Sequence, residues 1–451
     1  MLITVNVQQA KEPPPAREAF ITLHPSVLQK YRIAAGTALR LCYGSRKAEV
    51  RVYAGHHHPR LLQITQSAAR QLLLEDGTLV HINYHSSQKE LFVGPLFAIL
   101  LDGIKPEGVQ PFGILSDYCR EVMVAARKRG IVPFVMAPER IHLSDQSVTG
   151  WTWRSGSWQE HSYPLPNVVY NRLSRSRESD PQVQEVLSSA QRASGWQVFN
   201  TSFLNKWQVY QQLQPQPPCR MPATELFRDG EQLKKWVRTH AVVFLKPVNG
   251  SLGKGIYRIQ RDARGFQCAS SSYGSARRRF ATADALYRHL EQRIQAQPYL
   301  IQKGIPVAKM DGHPVDFRVL VQRGAQGKWL TTSSVARQAH PLTFVSNLAR
   351  GGQLFPPAEA LRKIGFSSPQ SKLRDLRMTA LKIASLLSQQ PETIYAEFGV
   401  DLAIDVHGVI WLLEVNSKPS KNEETLPARS GLRPSTKNML AYVAYLWRKS
   451  R

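Results

Sequence analysis

The chain has 451 residues, of which 42% are hydrophobic and 20% charged, a balance that is typical of globular proteins and excludes a disordered chain. Its formal net charge of +26 predicts attraction to polyanions such as nucleotides, nucleic acids or acidic peptides, but selects none of them. No apolar run approaches the roughly 20 residues that span a bilayer, and we expect no secretory signal. The four cysteines are scattered, which predicts a reducing compartment without structural zinc.

Short strands dominate residues 1–92, which we interpret as a small β-rich domain. One short helix is predicted from Ser67 to Leu74. The run His56–His58 has no carboxylate partner nearby in the sequence, so we interpret it as an exposed loop and not as a metal site. Apolar and polar residues alternate most clearly in four segments, namely Leu2–Val7, Ala38–Tyr43, Glu49–Tyr53 and Thr78–Tyr84.

The pattern changes near Val93, and residues 93–202 predict a small open α/β domain. A buried strand, a helix and a second strand follow one another as a βαβ unit, which predicts a right-handed parallel crossover. A hairpin, a further strand and a second helix come next. In order, these segments are Leu96–Leu101, Phe112–Arg129, Ile131–Met136, Val148–His161, Val168–Tyr170 and Pro181–Ala193.

Residues 203–451 predict a third domain, and its first chemical signal is a glycine-rich loop between two strands. The strand Val242–Pro247 contains Lys246, and the loop Gly250–Gly255 follows it. Backbone N–H groups of such a loop can hold phosphate oxygens, and a lysine on the preceding strand can reach the same phosphates. The spacing is not that of a P-loop, so an ordinary β-turn remains the alternative.

The strongest signal is a pair of apolar runs near the C-terminus, Phe398–Ile404 and Val409–Val415, which predict two strands joined by a turn at Gly408. Folding back at the turn places Asp401 opposite Glu414. Glu414 and Asn416 share a face, because side chains two residues apart on a strand point the same way. Two carboxylates and one amide oxygen are ligands suited to Mg²⁺ or Mn²⁺. The alternative is that both carboxylates are solvent-facing charges on an edge strand.

The sequence also contains arginines that could bind an anionic ligand. Arg318 and Arg337 lie on or beside predicted strands, and their planar guanidinium groups suit phosphate or carboxylate, with surface ion pairing as the alternative. The densest basic run, Arg277–Arg279, is interpreted as a solvated loop. We do not expect nucleic acid to be the main partner.

In this order, the motifs resemble those of the ATP-grasp superfamily of carboxylate–amine ligases, over roughly Phe203 to Lys418. Within it, the chain resembles the YheC/YheD group of endospore coat-associated proteins, over about residues 93 to 450. The segments that carry the resemblance are KPxxGSxGxG at Lys246–Gly255, DFR at Asp316–Arg318, SNLARGG at Ser346–Gly352 and GVDL…LLEVNSKP at Gly399–Pro419.

The resemblance implies a fold class of mixed α+β and α/β type, with an ATP-grasp fold preceded by a small Rossmann-like domain and the N-terminal β-rich domain. It also implies ATP and Mg²⁺ (or Mn²⁺) as cofactors and assigns roles to individual residues. Those expected at the nucleotide are Lys206, Lys246, Gly250, Ser251, Gly253, Gly255 and Gln302. Those expected at the reacting groups are Arg318, Arg337 and Asn347, and those expected at the metal are Asp401, Glu414 and Asn416.

The function implied is amide-bond formation through an acyl phosphate, with a carboxylate and an amine as substrates. The sequence identifies neither the acid nor the amine, although the positive charge permits an anionic peptide or a cell-wall or spore component. A second hypothesis is a spore coat-associated binding protein that keeps the fold without turnover, and a third is a general polyanion binder. We expect a cytoplasmic protein of the mother cell or forespore, or one attached to the spore coat. The oligomeric state and the role of residues 1–92 are left open.

Overall fold

The computed structural model describes residues 3–10 by their backbone and residues 19–105, 107–214, 220–250, 253–271, 277–340, 352–389, 393–421 and 431–450 in full. The chain divides into two compact units, each described by itself below. The first unit comprises Met1–Thr201, Arg323–Lys328 and Leu432–Arg451, and the second comprises Ser202–Gln322 and Trp329–Gly431. The three predicted domains with their boundaries at 92 and 202 remain a prediction.

The first unit begins with a closed β-barrel. Its strands alternate inward apolar and outward polar residues, and Leu39, Leu41, Val50 and Val52 are among those that fill the interior. Around the barrel the strands follow the order β1-β5-β2-β4-β3-β7-β6. Their bounds are β1 (Ile3–Ala10), β2 (Phe20–Leu23), β3 (Ala38–Tyr43), β4 (Arg46–Ala54), β5 (Leu61–Thr65), β6 (Thr78–His85) and β7 (Glu90–Gly94).

Two short helices accompany the barrel, α1 (Pro25–Tyr31) and α2 (Gln66–Leu72). The second lies where a helix was predicted. The first was not predicted, because only Val27 and Leu28 of its residues are buried and so short a segment shows no apolar period. In the histidine run, the side chains of His56 and His58 are exposed, as expected for a loop.

A mixed sheet follows in the same unit, in the order β10-β11-β9-β8-β13-β14, with β12 paired to β11. Strand β8 pairs in parallel with both β9 and β13, which confirms the predicted βαβ crossover. The elements are β8 (Leu96–Leu100), α3 (Ser116–Arg127), β9 (Val132–Met136), β10 (Ile141–His142), β11 (Ser147–Arg154), β12 (Ser157–Pro164), β13 (Val168–Asn171), α4 (Arg175–Glu178), α5 (Pro181–Ser194) and β14 (Gln197–Phe199), with 3₁₀ turns at Gly113–Leu115 and Pro138–Arg140.

The second unit contains two antiparallel sheets. The first, here called the lysine sheet, has the strand order β15-β20-β16-β17-β18-β19. Helices α7 and α8 cover one face, where Leu233, Trp236, Leu286 and Leu290 pack on the strands. The elements are α6 (Lys206–Leu213), β15 (Thr224–Leu226), α7 (Gly230–Thr239), β16 (Val242–Pro247), β17 (Tyr257–Asp262), β18 (Gly265–Ser270), β19 (Arg277–Phe280), α8 (Ala283–Ile294) and β20 (Tyr299–Lys303).

The interpretation of Arg277–Arg279 as a loop is wrong. These residues form most of β19, which pairs with β18 from Phe266 to Ala269. The local sequence contains no apolar alternation that would predict a strand, and pairing with β18 supplies the order that the three arginines alone do not. Their side chains are exposed, as the solvated interpretation expected.

The second sheet of this unit, here called the carboxylate sheet, has the order β24-β23-β22-β25-β26, with β21 paired to β22. Helices α9 and α10 cover its apolar face, where Phe317, Val319, Phe398 and Val400 lie in the core. The elements are β21 (Lys309–Met310), β22 (His313–Arg323), β23 (Trp329–Gln338), β24 (Gln353–Phe355), α9 (Pro357–Ile364), α10 (Pro369–Leu387), β25 (Glu397–Ile404) and β26 (Ile410–Asn416).

The last helix, α11 (Pro434–Lys449), belongs to the first unit, where Thr436 donates a hydrogen bond to Glu121. Over the described ranges, no helix combines the length and the apolar character needed to cross a membrane.

Candidate functional site

The face of the lysine sheet that α7 and α8 leave open carries two of the predicted nucleotide residues, Lys246 and Gln302. Strand register places Thr224, Gln302, Phe244 and Arg258 in one row across four strands. Lys246 lies two residues from Phe244 on β16 and therefore on the same face. The chain places Lys246 and Gln302 together although 56 residues separate them.

Lys246 is held by neutral partners. Its Nζ donates a 2.6 Å hydrogen bond to Gln302 Oε1 and lies 5.6 Å from the centre of the Phe244 ring. Gln302 Nε2 donates to Thr224 Oγ1 at 2.8 Å, so both ends of the amide are engaged. Burial lowers the pKa of Lys246 to about 8; Glu414 opposes this shift and Lys206 adds to it.

Lys206 lies at the first turn of α6, whose N-cap Asn205 accepts hydrogen bonds from the backbone N–H groups of residues 207 and 208. Its ammonium donates to the carbonyl oxygen of Gly250 and lies 3.2 Å from Glu414 Oε1. Lys206 thus joins three elements: the N-terminus of α6, the glycine loop and the carboxylate sheet. Together, Lys206, Lys246 and Glu414 form a mutually interacting group with two positive charges and one negative charge.

The glycine loop runs from β16 to β17. Gly253 and Gly255 have φ angles of +65° and +69°, a left-handed conformation that other residues adopt only with strain. A Cβ on Gly255 would also lie 3.1 Å from Pro247 and 3.2 Å from the Tyr299 hydroxyl, which donates to the Gly255 carbonyl. Ser251, also predicted at the nucleotide, lies outside the described residues.

On the carboxylate sheet, Arg318, Asp401 and Glu414 are paired in register across β22, β25 and β26. This is the opposition of Asp401 and Glu414 that the hairpin pattern predicts. Asn416 pairs with Gly399 on the same face. A Cβ on Gly399 would lie 3.1 Å from Nη1 of Arg318, so the glycine leaves room for the arginine side chain.

Asp401 has two arginine partners. Arg318 donates to both of its carboxylate oxygens, at 3.0 Å to Oδ2, and Arg337 Nη2 lies 3.1 Å from the same Oδ2. Arg337 also forms two hydrogen bonds to Asp316, at 2.7 and 2.9 Å. We call these four residues, all at most 9% exposed, the Arg–Asp quartet.

The charges within the quartet balance. Burial alone would raise the pKa of Asp401, but Arg318 and Arg337 outweigh it and hold the pKa below its ordinary value. Burial would likewise lower the pKa of Arg337, and Asp316 and Asp401 together raise it well above its ordinary value. Asp401 and Arg337 therefore keep their charges near neutral pH, within a cluster of two guanidinium groups and two carboxyl groups.

A second buried ion pair lies on the same face of the carboxylate sheet as the Arg–Asp quartet, four residues further along β22 and β25. Lys421 donates a 2.7 Å hydrogen bond to Glu397, and their side chains are 0% and 2% exposed. Gln322, opposite Glu397 in the register, donates to the same carboxylate oxygen at 3.0 Å. This pair anchors the segment that follows β26.

Sequence reasoning did not assign roles to three residues that the structure connects to the site: Asp316, Thr224 and Gly399. Asp316 was part of the quoted DFR segment, which was the only signal for it. Asn347, predicted at the reacting groups, lies outside the described residues.

The residues present fit a polyphosphate with a divalent cation, although not through every predicted ligand. Two ammonium groups with one carboxylate leave a surplus of positive charge for an anion. Glu414, 30% exposed, and Asn416 present hard oxygen ligands on one face. Asp401 already accepts contacts from Arg318 and Arg337, so a metal ion would share this carboxylate with them. Within the described ranges, no three His, Cys, Asp or Glu side chains cluster closely enough to hold a metal ion.

Two antiparallel sheets with helices on their apolar faces, and a cluster of lysine and carboxylate side chains, characterise this part of the chain. The chain belongs to the YheC/D like ATP-grasp family, whose sequence profile matches residues 195–446. This finding confirms the resemblance and the ATP-grasp fold.

Curated relatives cover most of the chain. It is 25% identical over 422 residues to the endospore coat-associated protein YheD of Bacillus subtilis, covering 91% of each chain. It is 19% identical over 314 residues to the endospore coat-associated protein YheC of the same organism, covering 68% of this chain and 85% of that one. Among solved structures, the ATP-grasp ligase PsnB complexed with minimal precursor has 14% identity and a TM-score of 0.46, covering 78% of this chain and 99% of that one. A likeness of that size supports no functional statement.

Proposed function

We propose that this chain is an ATP-dependent carboxylate–amine ligase that forms an amide bond through an acyl phosphate. The observation that carries the proposal is the convergence of Lys206, Lys246 and Glu414 beside the glycine loop. A partly buried surplus of positive charge suits a polyphosphate, and membership of the ATP-grasp family makes ATP the expected one.

In this proposal, the two lysines hold the phosphates and balance their charge. Lys206 exchanges its contacts with Glu414 and the Gly250 carbonyl for phosphate oxygens, which frees Glu414. Gly250, Ser251, Gly253 and Gly255 supply backbone N–H groups over the phosphates and help to exclude water. Gln302 lies beside the adenine, where its engaged amide keeps Lys246 in place.

Glu414 and Asn416 are the side chains proposed to hold Mg²⁺ or Mn²⁺, with Asp401 as a third ligand that is shared with Arg318 and Arg337. A bound divalent ion offsets the charge on the transferring phosphoryl group. Arg318 and Arg337 are proposed to face the γ-phosphate and the acyl phosphate, and Asn347 is proposed to line the acceptor side. The reaction needs no protein nucleophile, so the proposed role of the chain is positioning and electrostatic stabilisation.

The test is ADP formation by the purified protein with Mg-ATP and a panel of acids and amines, a panel weighted toward acidic peptides and cell-wall precursors. We expect turnover with one pair of substrates and its loss in Glu414→Gln and Lys246→Ala. Absence of Mg-ATP binding at millimolar concentrations would remove the proposal.

A second candidate is a binding protein that keeps the fold without turnover. The observation that favours it is the Arg–Asp quartet, because Arg318 and Arg337 already have carboxylate partners and leave little charge for a γ-phosphate. Nucleotide binding without product, across the whole panel, would favour this candidate over the ligase.

The biological setting is also a proposal. Both relatives are named as endospore coat-associated proteins. By analogy, we propose that this chain acts during spore formation, in the cytoplasm of the mother cell or forespore or at the coat. Localisation of a fluorescent fusion during sporulation tests this, and a distribution that does not change on sporulation would contradict it.

A further inference from the structure

The open face of the lysine sheet extends beyond Lys246 to a pair of arginines. Strand register places Phe244, Arg258, Ala269 and Arg277 in one row across β16, β17, β18 and β19. The residues on the other side of these strands, among them Ile259 and Cys268, pack against α7 and α8. Arg258 and Arg277 therefore project from the same uncovered face.

Only one small side chain separates the two arginines. Ala269 lies between them, so their Cα atoms are two strand spacings apart, or about 10 Å. Ala269 is 8% exposed although it lies on the face opposite the helices, which we attribute to the long side chains that flank it. Both guanidinium groups can reach over the alanine toward one ligand.

Neither guanidinium has a carboxylate partner within the described part of the chain. Arg258 is partly buried and Arg277 is exposed. Burial lowers the pKa of Arg258, and the neighbouring charge of Arg277 lowers it further. By contrast, Arg279, on the same face of β19, has a partner in Asp262, with contacts of 2.8 and 2.9 Å. Two unpaired like charges at one place are costly unless an anion joins them.

We propose that Arg258 and Arg277 form a docking site for the carboxylates of an acidic peptide on the open face of the lysine sheet. Two features favour a peptide. Strand β19 ends the described strand order of the sheet, and an edge strand can pair with an extended peptide through backbone hydrogen bonds. Arginine forks match carboxylates in two-point contacts.

The same face argues against single-stranded nucleic acid. Sequence-tolerant binding of single strands relies on aromatic rings that stack on bases. The residues that β17, β18 and β19 place on this face around the two arginines are Gln260, Gln267 and Arg279, none of which is aromatic. The one aromatic residue in the row, Phe244 on β16, lies 5.6 Å from the ammonium of Lys246, and a single ring does not form a series of stacking platforms.

The experiment measures binding of a fluorescein-labelled oligoglutamate peptide to the full-length protein by fluorescence anisotropy, at physiological ionic strength and without nucleotide. Because no nucleotide is present, the result is independent of whether the chain is a ligase. We expect the double variant Arg258→Gln/Arg277→Gln to weaken binding at least about tenfold.

The matched control is Arg261→Gln/Arg278→Gln, which removes the same charge from the same two strands but on the face toward the helices. We expect this control to change the affinity by about twofold or less. Equal losses in both double variants would overturn the proposal, because they would indicate attraction to general surface charge. Unchanged affinity in the first variant would overturn it as well.

Two further arms keep the test decisive. The single variant Arg277→Gln alters only an exposed side chain and leaves the partly buried Arg258 unchanged. Its matched control is Arg278→Gln, and we expect the same direction of difference in peptide affinity as for the double variants. Single-stranded DNA of equal charge is the competing ligand. Tighter binding of DNA than of the peptide, lost in the same variants, would overturn the assignment to an acidic peptide.

Discussion

Asp401 and Glu414 are directly opposite each other on β25 and β26, yet each carboxylate contacts a different set of cations. Asp401 is buried and held by Arg318 and Arg337, whereas Glu414 is partly exposed and faces Lys206. Two acidic residues that the sequence presents as one ligand pair therefore have separable roles: the first stabilises buried arginines, and the second is available to a ligand.

Asp401→Asn should destabilise the fold. It leaves Arg318 and part of Arg337 without an opposite charge in a buried site, and breaking a buried pair in this way costs about 3–5 kcal/mol. Chemical denaturation followed by circular dichroism measures the loss. Asp375→Asn on α10, where the carboxylate is 56% exposed, is the control and should cost less than about 0.5 kcal/mol. Equal costs would contradict the role assigned to Asp401.

Glu414→Gln should weaken divalent-ion binding while leaving the fold intact. The side chain is 30% exposed and its partner Lys206 is itself 19% exposed, so stability should change little. We expect Mn²⁺ affinity in the presence of ADP to fall about tenfold or more, as measured by electron paramagnetic resonance. Glu359→Gln on α9 is a control of similar exposure. Unchanged Mn²⁺ affinity in Glu414→Gln would argue against a metal at this carboxylate.

Nucleotide affinity should fall as the pH rises above about 8, the pKa of Lys246. Phosphate oxygens beside this lysine favour its charged form, so binding takes up a proton once the free protein has lost it, and affinity drops by up to about tenfold per pH unit. Isothermal titration calorimetry with ADP and Mg²⁺ on both sides of this pH measures the effect. Lys246→Arg keeps its charge and should show no such fall.

The lowered pKa of Lys246 also predicts how the free energy of unfolding changes with pH. The native pKa of about 8 is below the ordinary value of 10.5, so the unfolded chain binds more protons between these values. Stability contributed by Lys246 should therefore increase as the pH rises through this window. The free energy of unfolding of the wild type, minus that of Lys246→Arg, should therefore rise with pH in this window. A decrease in this difference would contradict the low pKa assigned to Lys246.

Gly255→Ala should reduce nucleotide affinity more than it reduces stability. The residue combines a φ of +69° with close neighbours at Pro247 and Tyr299, so a Cβ distorts the loop proposed to cover the phosphates. Gly365→Ala is the matched control, because Gly365 has a φ of +106° in open space after α9. We expect a similar loss of stability, about 1 kcal/mol, in both variants. Loss of ADP affinity in the control as well would contradict the role of the loop.

The sequence was sufficient for the parts of the site that depend on local pattern. Two apolar runs and the turn residue Gly408 predicted the β25–β26 hairpin, and register then placed Asp401 opposite Glu414 as expected. The strand–loop–strand arrangement after Lys246 was also predicted.

Long-range partners were not predictable in the same way. Arg318 meets Asp401 across 83 residues, and Lys246 meets Gln302 across 56, and both contacts depend on which strands are neighbours in a sheet. Nothing in the local pattern around Arg318 distinguishes a guanidinium that faces a ligand from one that is buried against a carboxylate. The strand formed by Arg277–Arg279 was missed for a related reason, since its order comes from pairing with β18.

The buried ammonium of Lys421 can report whether the carboxylate sheet is folded. Acylating reagents modify amines that water can reach, and this side chain is 0% exposed and tied to Glu397. During a brief pulse of acetic anhydride, its peptide should stay unacetylated while those of surface lysines gain mass. Acetylation of Lys421 during a pulse would then show that the carboxylate sheet had opened by that time.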